Sequence, residues 1–263
     1  MNLLCPTDLS LAADIALSYA GHIAKHASGE ITLFHALAKK EAAPDDTVLG
    51  KAHEANLGQL ATAGVKVHQV LRAGPFMKEI AAESAKGHSL VVMGTHGVRS
   101  LRQEILGSDM LRLVRSVAAP SLVVQAYSPR QVRMKKILMP VAAHDDISPL
   151  LTTVCTLARS CGSEVEVYQQ LVEGQSTSNQ LLLNKQQMLQ RLKKEGIPYK
   201  EVNEPVEKFY EGFVLRTIRY ARNNNVDCIA IMAQASGEHK KIADKEKQEL
   251  LTNELGVPVL CAV

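Results

Sequence analysis

Short aliphatic runs recur along the chain, each closed by a turn residue and followed by a stretch with helical spacing. Leu3-Leu4-Cys5-Pro6 opens the series, and Pro6 marks an apparent strand end. Segments 30–37, 64–70, 90–93 and 120–124 complete a first set of five. Between the first two runs, residues 11–27 carry Leu11, Ile15, Leu17, Tyr19 and Ile23 among many alanines, which predicts a helix. Residues 75–86 and 108–118 have the same spacing, as do 148–160, 178–194 and 207–222 further on. The strands are continuously apolar rather than alternating, as expected for a sheet covered on both faces. The pattern therefore predicts β-α-β-α-β-α-β-α-β, an open parallel sheet with helices on both sides.

The same series then repeats. Lys136-Ile137-Leu138-Met139-Pro140 matches the first run, and segments 164–171, 196–202, 229–232 and 258–263 match the other four in order. The offsets all fall between 132 and 139 residues. Five correspondences in one order mark two copies of one α/β unit, 1–130 and 131–263. The polar, basic segment 127–135 reads as a solvated connector between them.

Composition narrows the function classes. Aromatics make up 4% of the 263 residues and Trp is absent, so broad platforms for stacking nucleic-acid bases are not expected. A net charge of +3 gives no basic surface for nucleic acid or anionic lipid. Five cysteines without a CxxC pair suggest neither a disulfide framework nor a zinc ribbon, and Cys5, Cys228 and Cys261 read as buried thiols. No apolar run approaches a membrane span, and the first residues lack the pattern of a signal peptide. These features lead to the expectation of a cytoplasmic protein that engages neither membrane nor nucleic acid.

In open parallel sheets, ligands bind beyond the carboxyl ends of the strands. Pro6-Thr7-Asp8-Leu9-Ser10 follows the first strand. Met93 ends the fourth, followed by Gly94-Thr95-His96-Gly97 and, nine residues on, Gly107-Ser108. Glycine lets backbone approach a ligand, and Ser108 is placed to cap a helix over 109–117 whose free amides favour an anion. The spacing G-2x-G-9x-G-S, with "VVMGTHG", "PTDLS" and "PSLVV", resembles the universal stress protein family over the first copy and more weakly over the second.

That resemblance implies two tandem five-stranded parallel sheets of order 3-2-1-4-5, in the manner of the adenine-nucleotide alpha hydrolases. It implies ATP, with or without magnesium, in the N-terminal copy only. Pro6, Thr7, Asp8 and the backbone near Ala36 would surround adenine. Met93, Gly94, His96 and Gly97 would line ribose and phosphates. Gly107, Ser108 and Asp109 would take the phosphates through their amides. Val98 stands where the family often has Arg, and Arg99 or Arg102 would have to supply that charge. The second copy loses the pattern: Ala142 replaces Asp8, Ala233 replaces Gly94, and Asp244-Lys245-Glu246 stands near the Gly-Ser position. It is expected not to bind ATP and to complete an intramolecular domain pair, the family habit through the last strand. No catalytic residue and no metal site is expected, since HExxH, GxGxxG, Walker and GxSxG patterns are all absent. A nucleotide-free scaffold and a slow ATPase are the alternatives, and a homodimer is left open.

Overall fold

The chain begins with β1 (Asn2–Pro6), α1 (Leu11–His26), β2 (Glu30–Leu37), α2 (Thr47–Ala52) and α3 (Glu54–Thr62). It continues through β3 (Lys66–Ala73), α4 (Phe76–Ser84), β4 (Leu90–Thr95), α5 (Gly107–Ser116) and β5 (Ser121–Gln125). The rest is β6 (Lys136–Pro140), α6 (Ser148–Cys161), β7 (Glu164–Val172), α7 (Asn179–Lys194) and β8 (Tyr199–Val206). It closes with α8 (Phe213–Asn223), β9 (Cys228–Met232), α9 (Lys240–Leu251) and β10 (Val259–Ala262). This computed structural model describes residues 1–37, 47–95, 107–172, 174, 176–206, 212–235 and 240–263.

The strand order is β3-β2-β1-β4-β5-β10-β9-β6-β7-β8. Both sets of five have the expected 3-2-1-4-5 order, and neighbours within each set run parallel. The expectation of two separate sheets is corrected: one continuous ten-stranded sheet forms. β5 and β10 join antiparallel, with Val123 opposite Val259, Leu122 opposite Leu260 and Ser121 opposite Cys261. All six residues are 0% exposed. An apolar strand left as an open edge invites pairing, and here each set supplies the other's missing neighbour. The true edges, β3 and β8, are mostly exposed and carry several charged side chains.

Two apolar layers sandwich this sheet. One holds α1, α3, α6 and α7 residues, among them Ile15, Leu60, Val154 and Met188. The other holds α4, α5, α8 and α9 residues, among them Ile80, Met110, Ile218 and Leu251. Each layer runs through both sets of strands, so the core is shared along the whole sheet. The connector keeps Arg130, Arg133 and Lys135 at the surface, but Met134 is wholly buried and anchors it. All five cysteines are buried free thiols, and burial pushes the Cys5 and Cys261 thiols up to about 12.

Helix α1 fixes the edge that carries the candidate site. Ser10 caps it by accepting from the Ala13 amide at 3.3 Å. Its first turn then lies directly on β4. A Cβ built on Gly94 would stand 2.4 Å from the carbonyl carbon and oxygen of Ala12 and 2.7 Å from the Ala13 nitrogen. The close backbone approach at Gly94 is therefore to the protein's own helix, whereas the sequence had suggested a ligand. Gly94→Ala is expected to lower stability by about 1–3 kcal/mol through overpacking. Gly58, a helical position with open space around its α-carbon, serves as the control. Gly58→Ala should gain about 1 kcal/mol by helix propensity. Urea unfolding of the two variants checks both signs.

Candidate functional site

β1 pairs with β4, so their carboxyl ends lie side by side at the point where chain direction through the sheet reverses. Pro6 ends β1, and Met93, Gly94 and Thr95 end β4. Asp8 is exposed just past β1, and its Oδ1 accepts the Ser10 amide at 3.0 Å, which turns the chain into α1. Leu9 takes a left-handed φ of 64° within that turn. Ala36 is half-buried near the end of β2, two residues beyond Phe34, the register partner of Pro6. These residues are brought to one edge. His96 and Gly97, with Val98, Arg99 and Arg102, lie outside the described residues.

Helix α5 is described from Gly107 onward, and residues 96–106 before it lie outside the described residues. The Asp109 carboxylate turns along the helix to Arg112, 3.2 Å away, so an acid and its counter-ion share that turn.

A buried polar chain holds the β1–α1 turn and was not legible in the sequence. Thr7 is 7% exposed, and its Oγ1 lies 2.8 Å from His53 Nε2. His53 Nδ1 donates to Asp14 Oδ1 at 3.0 Å. Asn56 Nδ2 donates to the same Asp14 oxygen at 2.7 Å, and Ser18 Oγ donates to Asn56 Oδ1 at 3.0 Å. With the Nδ1 proton committed to Asp14, Nε2 accepts from the Thr7 hydroxyl. The order hydroxyl, imidazole, carboxylate matches a nucleophile-activating relay. Yet Thr7 Oγ1 also accepts the Leu9 amide at 2.9 Å and is nearly closed to solvent, so the chain works as a brace. His35 adds to it by donating from Nδ1 to the Thr7 carbonyl at 2.7 Å. Thr7, predicted to surround a ligand, is turned inward to this brace. The three helical members lie far from the glycine motif in sequence, and no local spacing marks them.

The corresponding edge of β6 and β9 is built differently. Asn184 from α7 donates to the carbonyls of Ala142 and His144 at 2.7 and 2.8 Å. Lys247 from α9 donates to the Met232 carbonyl at 2.9 Å, and Arg115 from α5 donates to the Ala233 carbonyl at 3.0 Å. Arg115 also pairs with Asp244 at 2.5 Å, tying α5 to α9. Ala233, where the first set has Gly94, keeps its side chain buried; the start of α6 places Pro149 and Leu150 where α1 has Ala12 and Ala13. Burial, reinforced by the charge of Lys247, holds the His144 imidazole down at about 4.

Two outcomes follow from these contacts. His53→Ala strands the Thr7 hydroxyl and part of Asp14 beside a cavity, and should cost about 2–4 kcal/mol in urea unfolding. His144 is neutral in the fold and titrates near its ordinary value when unfolded. Its contribution to stability is complete above pH ~6.5 and is lost as pH falls from there towards 4, at up to about 1.4 kcal/mol per pH unit. Unfolding at pH 7, 5.5 and 4.5 should show this extra slope in the native sequence and lose it in His144→Gln.

The model of the universal stress protein family matches residues 1–125. No curated protein sequence matches the chain. Among solved structures, a universal stress protein from Archaeoglobus fulgidus DSM 4304 aligns with a TM-score of 0.72 at 18% identity, covering 99% of this chain and 97% of that one. A putative universal stress protein from Pseudomonas aeruginosa UCBPP-PA14 aligns at 0.60 with 16% identity, covering 99% and 92%. The cytoplasmic domain of a prokaryotic cation chloride cotransporter aligns at 0.57 with 12% identity, covering 100% and 95%. These identities carry the fold, which in each case extends over the whole chain. No helix among the described residues is long and apolar enough to cross a membrane. Residues 1–125 belong to the universal stress protein family, within a chain whose length and strand order fit a tandem two-unit member.

Proposed function

We propose that the chain is a stress-response protein that holds one adenine nucleotide, ATP, at the carboxyl edge of β1 and β4. Its units would be 1–130 and 131–263, the second pairing with the first and taking no ATP. The observation that carries this reading is the adjacency of the β1 and β4 ends, with Asp8 exposed at one and α5 following the other. The residues fit the group. Asp8 and the β2 end near Ala36 offer a hydrogen-bonding edge for adenine, and the amides of Gly107, Ser108 and Asp109 suit phosphate oxygens. His96 and Gly97 complete the family motif between them.

The proposed role is binding, with nucleotide occupancy as the signal. A phosphoryl-transfer site needs carboxylates that hold a metal and position water. Among the described residues no group of three metal-binding side chains occurs, and Asp109, the acid nearest the expected phosphates, engages Arg112. In the second unit, Ala142 replaces the carboxylate, and the chain's own Lys247 and Arg115 hydrogen-bond the β9 carbonyls.

Denaturing the purified protein should release about one adenine nucleotide per chain. Added ATP at 100 times its Kd should stabilise a nucleotide-stripped sample by about 2.7 kcal/mol. Asp8→Ala and Gly97→Val should each lose most of that gain, measured with and without magnesium. Two nucleotides per chain, or no stabilisation of the stripped protein, would contradict the reading.

A further inference from the structure

A cavity of about 60 Å³ lies at the amino ends of β6, β9 and β10. Its wall joins Tyr19 of α1 to the connector, the turn between α8 and β9, and the lead into β10. One water molecule takes roughly 10–15 Å³ of such space, so there is room for a group of several heavy atoms. Tyr19 forms the floor and is 2% exposed. Its hydroxyl makes no hydrogen bond among the described residues and is not fully enclosed, so it opens onto the cavity. A buried tyrosine hydroxyl ordinarily has a partner, and phenylalanine would fill the same place without requiring one. Burial pushes the Tyr19 pKa up, so the hydroxyl stays protonated and able to donate.

The rim of the cavity is rich in donors. Arg133 comes from the connector, Arg222 from the last turn of α8, and Asn225 from the turn that follows. All three are exposed, and their side chains make no hydrogen bond or ion pair among the described residues. Asp227 is the one carboxylate in the lining, and its Oδ2 already accepts the amides of Lys135 and Lys136 at 2.8 and 3.0 Å. Two guanidiniums against one carboxylate leave the lining net positive. Guanidinium forks match the paired oxygens of carboxylates and phosphates. A water would satisfy the Tyr19 hydroxyl but would bring no charge to the arginines, whereas an oxyanion answers both.

We infer that this cavity binds a small oxyanion, the carboxylate or phosphate of a small molecule, with Tyr19, Arg133 and Arg222 as the donors that hold it. The bound group would touch α1 of the first set, the connector, and the α8–β9 turn of the second set at once. It would therefore fasten the two halves where the chain passes between them. None of the residues assigned to the nucleotide edge lines this cavity, so the two sites are separate.

The test uses the full chain carrying Gly97→Val, which removes the proposed nucleotide site, so the two readings fail separately. Inorganic phosphate and acetate are titrated in separate runs, with chloride holding the ionic strength constant, and binding is followed by equilibrium dialysis. Saturable binding of phosphate or acetate at a single site is expected. Arg133→Gln and Arg222→Gln should each weaken it by about tenfold or more, and Tyr19→Phe by about fivefold, with the far-ultraviolet spectrum unchanged. Tighter phosphate would assign a phosphate ligand, and tighter acetate a carboxylate. If Tyr19→Phe does not fold, the two exposed arginines decide. No saturable binding of either anion, which leaves the cavity to water, or an unchanged affinity in any folded variant would overturn the assignment.

Discussion

The backbone of α1 lies against the α-carbon of Gly94, and the geometry of the first carboxyl edge follows from that contact. A helix can approach a sheet this closely only where the sheet presents no Cβ and the helix presents small residues. Ala12 and Ala13 meet the second condition, and Gly94 the first. With the helix start drawn down onto β4, the turn carrying Asp8 sits between the ends of β1 and β4. The buried chain from Thr7 through His53 to Asp14 then fixes that turn from beneath. The glycine motif acts in part on the protein itself before any ligand is considered.

A second constraint works at the centre of the molecule. β5 and β10 are short, apolar and fully buried, and either one exposed would be a ready edge for another chain. Their antiparallel pairing turns two five-stranded sheets into one and lets each apolar layer run through both. Around this seam the polar contacts also cross. Gln125 donates to the Leu251 carbonyl at 3.0 Å, and Arg115 reaches both Asp244 and the Ala233 carbonyl. The start of α5 belongs to the proposed nucleotide edge, and two turns later the same helix closes over the end of β9.

The two carboxyl edges show how one fold accommodates different chemistry. In the first, the small-residue start of α1 lies against the α-carbon of Gly94. In the second, α6 starts with the larger Pro149 and Leu150, Ala233 is buried, and Lys247 and Arg115 hydrogen-bond the carbonyls at the end of β9. Each edge uses a buried polar side chain from the helix layer to hold the loop after its first strand: His53 in one, Asn184 in the other.

Much of the architecture was legible in the chain itself. Continuous aliphatic runs can be buried on both faces only in a covered parallel sheet, so strand number, the repeat and most helices follow from local pattern. α2 and α3, short and weakly apolar, were not located, and α9 lacks the apolar density that marked the others. Pro6, Asp8, Gly94, Gly107 and Ser108 were identified because a turn, a close approach and a helix start each need particular residue types at fixed spacing. The joining of the two sheets, the true neighbour of Gly94, the brace behind Thr7 and the Asn184 clamp on the loop after β6 were decided by tertiary structure alone. Each depends on residues tens to more than a hundred positions apart meeting in space. Local sequence records what a residue prefers, while burial and pairing are set by what the rest of the chain brings against it.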